Sequence, residues 1–310
     1  MSIVSTAPTG PIVVGVDGSP PARRALVFAC REALRLHRPL HLLHTHDTVV
    51  PDGGAGALTA LGSSDFTALE HAAQQILDHA VATARKLTAG ADVTGAVADG
   101  SAAAALVELS RSAHLVVVGA RGRGALAGAC LGSVSTQVSM HAHSPVVVVK
   151  DLPVEPDLAD LGDPSRAGAV VTVGIDGSHA SQACLAFAFE QASTRRARLD
   201  VVHAWPFERS QGVAAVVDAV SPRHEVEPQH RQLLEDSMAG WSQKYPDVDV
   251  DVSVVKGSAV TAILDHSDGA ELVVVGSRGR GGFAGLLLGS VSHSVLQRAT
   301  CPVAVVRGLR

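Results

Sequence analysis

Two glycine-rich segments of this chain carry the residue types that hold phosphate. One opens as Gly119-Ala120-Arg121-Gly122-Arg123-Gly124 and closes as Gly132-Ser133-Val134-Ser135; the other opens as Gly276-Ser277-Arg278-Gly279-Arg280-Gly281 and closes as Gly289-Ser290-Val291-Ser292. In both, two residues separate Gly119 from Gly122 (Gly276 from Gly279), nine more lead to Gly132 (Gly289), and a serine follows. Glycine lets a ligand approach the backbone with no Cβ in the way. Each Gly-Ser pair falls where a helix is expected to begin, so unpaired N–H groups and the positive end of the helix dipole face outward. That is an anion site, and Ser133 and Ser290 add hydroxyl donors. Arg121, Arg123, Arg278 and Arg280 supply mobile positive charge for phosphate oxygens. A tight turn alone also asks for glycines, and one copy of a short glycine pattern is weak evidence. Two copies in the same context favour a ligand, although duplication copies a motif whether or not both copies still bind.

Facing these loops stand Gly15-Val16-Asp17 and Gly174-Ile175-Asp176, at the ends of two β-branched runs. A carboxylate at a strand tip accepts hydrogen bonds from the hydroxyl or amino donors of a ligand. Each aspartate also heads an Asp-Gly-Ser turn, in which it serves equally well as a turn residue. Gly100 and Gly257 are weaker candidates for ligand contact, since a plain strand-to-helix turn explains them nearly as well.

Other chemistries are poorly supported. No GxxxxGK[ST] motif exists, and neither glycine loop holds a lysine to clamp phosphates or an acid to orient water or hold Mg²⁺. Phosphoryl transfer at these loops is therefore expected to be slow or absent. Adenylyl transfer usually requires histidine-rich motifs at the first strand end, where this chain has Asp-Gly-Ser. His41, His44 and His46, or His141 and His143, lack a cysteine or carboxylate at ligand spacing, so no metal site is expected. The cysteines, Cys30, Cys130, Cys184 and Cys301, form no CxxC pair and read as free thiols of a reducing compartment. Cys130 is the thiol to consider for redox sensing, but the matching Leu287 favours simple packing. With a net charge of −5 and no basic stripe, nucleic-acid binding has no electrostatic footprint. Mean hydropathy is +0.24. Yet apolar runs stay far below the roughly 20 residues that cross a bilayer, and Met1–Gly10 has no signal-peptide pattern. A cytoplasmic protein without a membrane role is expected.

The elements that position these residues come from a duplication. Leu115–Gly119 returns as Leu272–Gly276, and Gly132–Ser135 as Gly289–Ser292, both 157 positions on; Ile12–Ser19 returns as Val171–Ser178 at 159. Domains are expected at 1–151 and 168–310, joined by a proline- and acid-rich linker at 152–167. With 46% hydrophobic but only 3% aromatic residues, the cores must be built from Val, Ala and Leu. In the first half, strands are expected at 12–17, 40–45, 93–98, 115–119 and 146–150. Ser19-Pro20-Pro21 caps a helix to about His37. A helix with Leu69, Ala73, Ile76, Ala80, Ala84 and Leu87 on its packing face follows a glycine-rich loop at 51–64. Two more helices run over 101–112 and 133–141. In the second half Leu234, Met238, Trp241 and Tyr245 mark the inward face of the second helix. The alternation gives two tandem doubly wound α/β domains, each a five-stranded parallel sheet with helices on both faces. Ligands in such sheets bind at the carboxyl ends of the strands where the winding reverses, between strands one and four.

At this point the chain resembles a tandem universal stress protein of the ATP-binding subgroup. The resemblance covers both halves, and the family's Gly-x2-Gly-x9-Gly-Ser/Thr signature is intact at 119–133 and 276–290. It implies a Rossmann-like fold of the adenine nucleotide alpha hydrolase type, with ATP, with or without Mg²⁺, in each half. Gly119 and Gly276 would lie near the ribose, and Asp17 and Asp176 beside the adenosine. Gly122, Gly132 and Ser133, or Gly279, Gly289 and Ser290, would wrap the phosphates, with Ser135 and Ser292 in reach. The resemblance further implies that the last strands of the two halves pair within the chain, that a homodimer is expected, and that ATP loading alters an unknown signalling partner in stress or dormancy. An enzyme that turns ATP over slowly or transfers its adenylyl group, and a scaffold with empty sites, are the alternatives.

Overall fold

The computed structural model describes residues 10–46, 63–122, 130–150, 168–178, 180–205, 226–279 and 288–308. Four candidate ligand residues, Arg123, Gly124, Arg280 and Gly281, lie outside these, as do the expected linker and most of the glycine-rich loop at 51–64. The chain divides into two compact units, residues 10–150 belonging to one and 168–308 to the other.

In the first unit the order is β1 Ile12–Gly15, α1 Pro20–Leu36, β2 Leu40–His46, α2 Ser63–Leu87, β3 Val93–Asp99, α3 Ala102–Leu109, β4 Leu115–Gly119, α4 Ser133–His141 and β5 Val146–Val149. The sheet runs β3-β2-β1-β4-β5 with every pair parallel, and Ile12 lies opposite both Leu40 and Leu115. The winding therefore reverses between β1 and β4, as the sequence predicts. Runs such as Leu115–Val118 are buried on both sides, the pattern of a covered parallel sheet. Neighbouring residues of β4 show the two layers. A Cβ on Gly119 would meet the backbone of Pro21 at the start of α1. Gly15, whose Cβ would sit 3.8 Å from Val118, faces Leu106 of α3. Consecutive strand residues point to opposite faces, so α1 and α3 cover opposite sides.

The second unit repeats this as β6 Val170–Ile175, α5 Ser181–Arg195, β7 Arg198–Trp205, α6 Val226–Lys244, β8 Val250–Lys256, α7 Ala259–His266, β9 Leu272–Gly276, α8 Ser290–Arg298 and β10 Val303–Val306. Its parallel order is β8-β7-β6-β9-β10. Phe189 of α5 stacks with Trp241 at 6.4 Å and Tyr245 at 5.9 Å between ring centres. Among the described residues, no helix is long and apolar enough to cross a membrane.

Some details depart from the sequence reading. β1 ends at Gly15, two residues short of the expected Asp17, which frees the aspartate for the turn. Tyr245 lies just past α6 rather than on it. Leu69 is not on the packing face of α2 but 47% exposed; the buried face runs through Ala73, Leu77, Ala80, Ala84 and Thr88. A Cβ on Gly95 of β3 would sit 2.9 Å from Leu77 and Val81, so the strand's glycine admits this face.

Candidate functional site

In the first unit a cleft of about 270 Å³ opens at the carboxyl ends of β1 and β4. Gly15, Val16 and Asp17 form one wall, Val118, Gly119, Arg121 and Gly122 the opposite one, and Gly132, Ser133, Val134 and Ser135 close the end. Ala22, Leu43, His44, Thr45, Ala102 and Leu106 complete it. Small-molecule clefts measure roughly 300–1,000 Å³. The described lining approaches that range without residues 123–129.

Local chemistry fixes each part. Gly18 takes a φ of 79°, turning the chain after Asp17. The Ser19 N–H donates to Asp17 Oδ1 at 2.8 Å, and the Ser19 hydroxyl accepts from Ala22 N as the N-cap of α1, with Pro20 and Pro21 filling the first helical positions. Asp17 Oδ2 points at the glycine loop: a Cβ on Gly122 would stand 2.8 Å from it. Glycine at 122 leaves that oxygen room without displacing the carboxylate. The N-terminus of α4 has Gly132 as its cap and no side-chain cap bond, so its first N–H groups remain for a ligand. Gly132 N–H itself donates to the Ala120 carbonyl at 2.8 Å, folding the loop back onto β4.

The second unit builds the same frame. Gly177 has a φ of 71°, Asp176 Oδ2 would lie 3.0 Å from a Gly279 Cβ, Gly289 N–H donates to Ser277 O at 2.7 Å, and α8 likewise starts without a side-chain cap. Ser290 and Arg278 are exposed and Val291 half-buried. Around the carboxylate, however, the units differ. The Ser181 hydroxyl donates to Asp176 Oδ1 at 2.6 Å and accepts from Asp176 N–H at 3.2 Å. Cys184 lies behind Gly276, and burial, reinforced by the charge of Asp176, pushes its thiol up to about 12.

Several predicted residues take other roles. Ser135 and Ser292 are buried and turn their hydroxyls toward backbone carbonyls. Ser135 donates to Ala120 O and Gly132 O, both at 3.0 Å, and Ser292 to Gly276 O, because α4 and α8 present that side to the strand. They pin the loops. Gly15 lines the cleft, but its smallness also admits Leu106 of α3, and Gly174 does the same for Ile263 of α7. Gly100 and Gly257 have φ of 87° and 149° and open space where a Cβ would go, so a turn explains them.

Sequence reasoning missed the lining by His44, Thr45, Ala102 and Leu106. A signal was present for one of them: both units carry a histidine near the end of the second strand, His44 and His203. Each ring Nδ1 donates to the carbonyl before the aspartate, Val16 O at 2.6 Å and Ile175 O at 2.9 Å. That bond fixes the peptide preceding Asp17 or Asp176. His41 instead meets Thr94 Oγ1 at 2.9 Å, and His46 meets Asp99 at 3.1 Å. Among the described residues no cluster of three or more His, Cys, Asp or Glu side chains could hold a metal.

Comparison with known proteins identifies a family and a shared fold. The family model described as the universal stress protein family matches residues 9–150 and again 170–307. The chain is 38% identical to a universal stress protein of Mycolicibacterium smegmatis, covering 98% of this chain and 99% of that one. It is 37% identical to one from Mycobacterium tuberculosis, covering 96% and 94%. Its fold is similar to the crystal structure of a universal stress protein from Archaeoglobus fulgidus, with a TM-score of 0.68 at 18% identity over 97% of each chain.

Proposed function

The chain belongs to the universal stress protein family, and on that premise we propose that it binds ATP, one molecule in each half, and works as a nucleotide-dependent stress or dormancy regulator. One observation carries this reading. Asp17 Oδ2 and the uncapped N-terminus of α4 face one cleft, and Gly122 stands where any Cβ would close on the carboxylate. A polyphosphate suits the positive helix end, Arg121 and the loop amides. Ribose hydroxyls suit the carboxylate, which only accepts hydrogen bonds when ionised. The apolar Leu43, Leu106 and Val118 suit the face of a base.

The lining contributes binding rather than bond-breaking. Among the described loop residues there is no lysine or carboxylate to support phosphoryl transfer. ATP then acts as a ligand that orders the loop and biases the surface a partner reads. The test is to release and identify by mass spectrometry whatever nucleotide copurifies with the full chain, and to incubate the chain with ATP and Mg²⁺. Adenine nucleotide retained without multiple turnovers is expected. Sustained turnover would favour the hydrolase or adenylyl-transfer alternative, and a chain that takes up no adenine nucleotide would reject the reading.

A further inference from the structure

The end of the cleft suited to phosphate is the same in both units: Arg121, Gly122 and residues 132–135 return unchanged as Arg278, Gly279 and residues 289–292. The flank on β2 is not. This strand lies on the far side of β1 from β4, and there Leu43 and Thr45 line the cleft together with Leu106 of α3. Leu43 stands in register with Gly15, and Gly15 faces Leu106. Leu43 and Thr45, two residues apart, therefore share the α3 side of the sheet. The second unit repeats this register. Val202 stands opposite Gly174, which faces Ile263 of α7, so Ala204 occupies the place of Thr45. Exchanging leucine for valine or isoleucine changes apolar shape alone, but exchanging threonine for alanine removes a hydroxyl. Thr45 is half-buried, and among the described residues its hydroxyl has no hydrogen-bond partner. The histidines on either side of it are bonded within the unit, His44 to Val16 O and His46 to Asp99.

We propose that Thr45 is a specificity-determining residue whose hydroxyl hydrogen-bonds the polar edge of the base in the first site, and that Ala204 leaves the second site without this reader. The proposal deepens the ATP reading above and rests on it. The apolar residues beside Thr45 suit the face of a base, but they offer nothing to the nitrogens along its edge. A hydroxyl both donates and accepts, so it serves a ring nitrogen or an amino group. A site built to bond such a group rejects an analogue that lacks it, because the protein's own polar group is then left unpaired. The first site is accordingly the more selective for ATP, and the second the more tolerant of the base.

The test uses the full chain with one site blanked at a time, by Gly122→Val or Gly279→Val. Each is titrated calorimetrically with ATP, with inorganic triphosphate, and with benzimidazole riboside triphosphate, whose six-membered ring carries neither nitrogen nor amino group. The first site should prefer ATP over the benzimidazole analogue more strongly than the second. Thr45→Val keeps the β-branched shape and should weaken ATP at the first site about five-fold, equivalent to one ordinary hydrogen bond. The analogue and inorganic triphosphate should bind that variant as before. Ala204→Thr should raise the second site's preference for ATP, so the inference does not hang on one variant's folding. If Thr45→Val weakens all three ligands alike, the hydroxyl supports the fold rather than the base and the proposal is wrong. If both sites bind ATP and neither exchange alters the preference, the inequality fails while the ATP reading stands. If the unsubstituted chain binds no ATP, both fall together.

Discussion

The first and second units were built from one template, and their differences separate what the template needs from what each unit added. Both keep the positive-φ glycine after the aspartate, the aspartate facing a loop glycine, and a helix that opens on Gly-Ser without a side-chain cap. The helix covering this frame differs. α1 begins with a capped Ser19-Pro20-Pro21 turn lying directly on Gly119, where a Cβ would come within 2.8 Å of Pro21 backbone. α5 begins later, without a side-chain cap, and a Cβ on Gly276 would meet Arg278 O at 3.1 Å and Cys184 Sγ at 3.3 Å. At the outer strands the contrast recurs: His46 pairs with Asp99 in the first unit, and Lys256 lies 5.0 Å over the Trp205 ring in the second. The glycine and aspartate frame is held constant while its surroundings drift. That is the pattern expected if the frame carries function and the surroundings tune it.

The comparison can be broken first at the glycines. Gly119→Ala drives a methyl into backbone, which cannot move aside cheaply, and overpacking of this kind costs about 1–3 kcal/mol. Gly276→Ala meets a single carbonyl and a sulfur and should cost less than half as much. Urea denaturation monitored for each unit checks this; equal losses would mean that the two helix starts pack alike. The caps come next. Ser19→Ala removes the hydroxyl that accepts from Ala22 N and should cost about 1 kcal/mol. Ser178→Ala should cost only a few tenths of that, since α5 has no side-chain cap to lose. Melting temperatures of the paired variants decide it. The smallest effect concerns thiols. Burial raises Cys30 and Cys184 from 9.0 to about 12. A folded pKa above the unfolded one contributes stability that is complete below pH 9 and fades as pH rises toward 12. Alkylation at pH 8.5 should therefore mark exposed Cys130 quickly, and Cys30 and Cys184 only as the chain unfolds. Cys184 labelling at the rate of Cys130 would show that the second unit opens behind its glycine.

Much of this was legible in the sequence because it depends on short-range patterns. Val-rich runs such as Val116–Val118 admit few readings other than a strand buried on both faces, and the 157-residue echo fixed the organisation. The strand-loop-helix placement was legible too, since Gly132-Ser133 follows a strand and opens a helix. What escaped depends on rotation and on distant elements. α2 is rich in alanine, so several phases of its helix look apolar; only the packed fold selects Leu77 over Leu69. Whether the Ser135 hydroxyl meets a ligand or a carbonyl is set by how α4 rolls against β4, which no local pattern records. His44 and Leu106 reach the cleft from elements far apart in the chain, and each looks like ordinary core in its own segment.

If Gly122 and Gly279 keep the space between loop and carboxylate open for ATP, a valine at either should close that site. Isothermal titration of nucleotide-free chain with ATP should show two bound per chain, one after Gly122→Val or Gly279→Val, and none after both, with each variant still cooperatively folded. A doubly substituted chain that still bound ATP at full stoichiometry, or an unsubstituted chain that gave no binding at millimolar ATP, would contradict it.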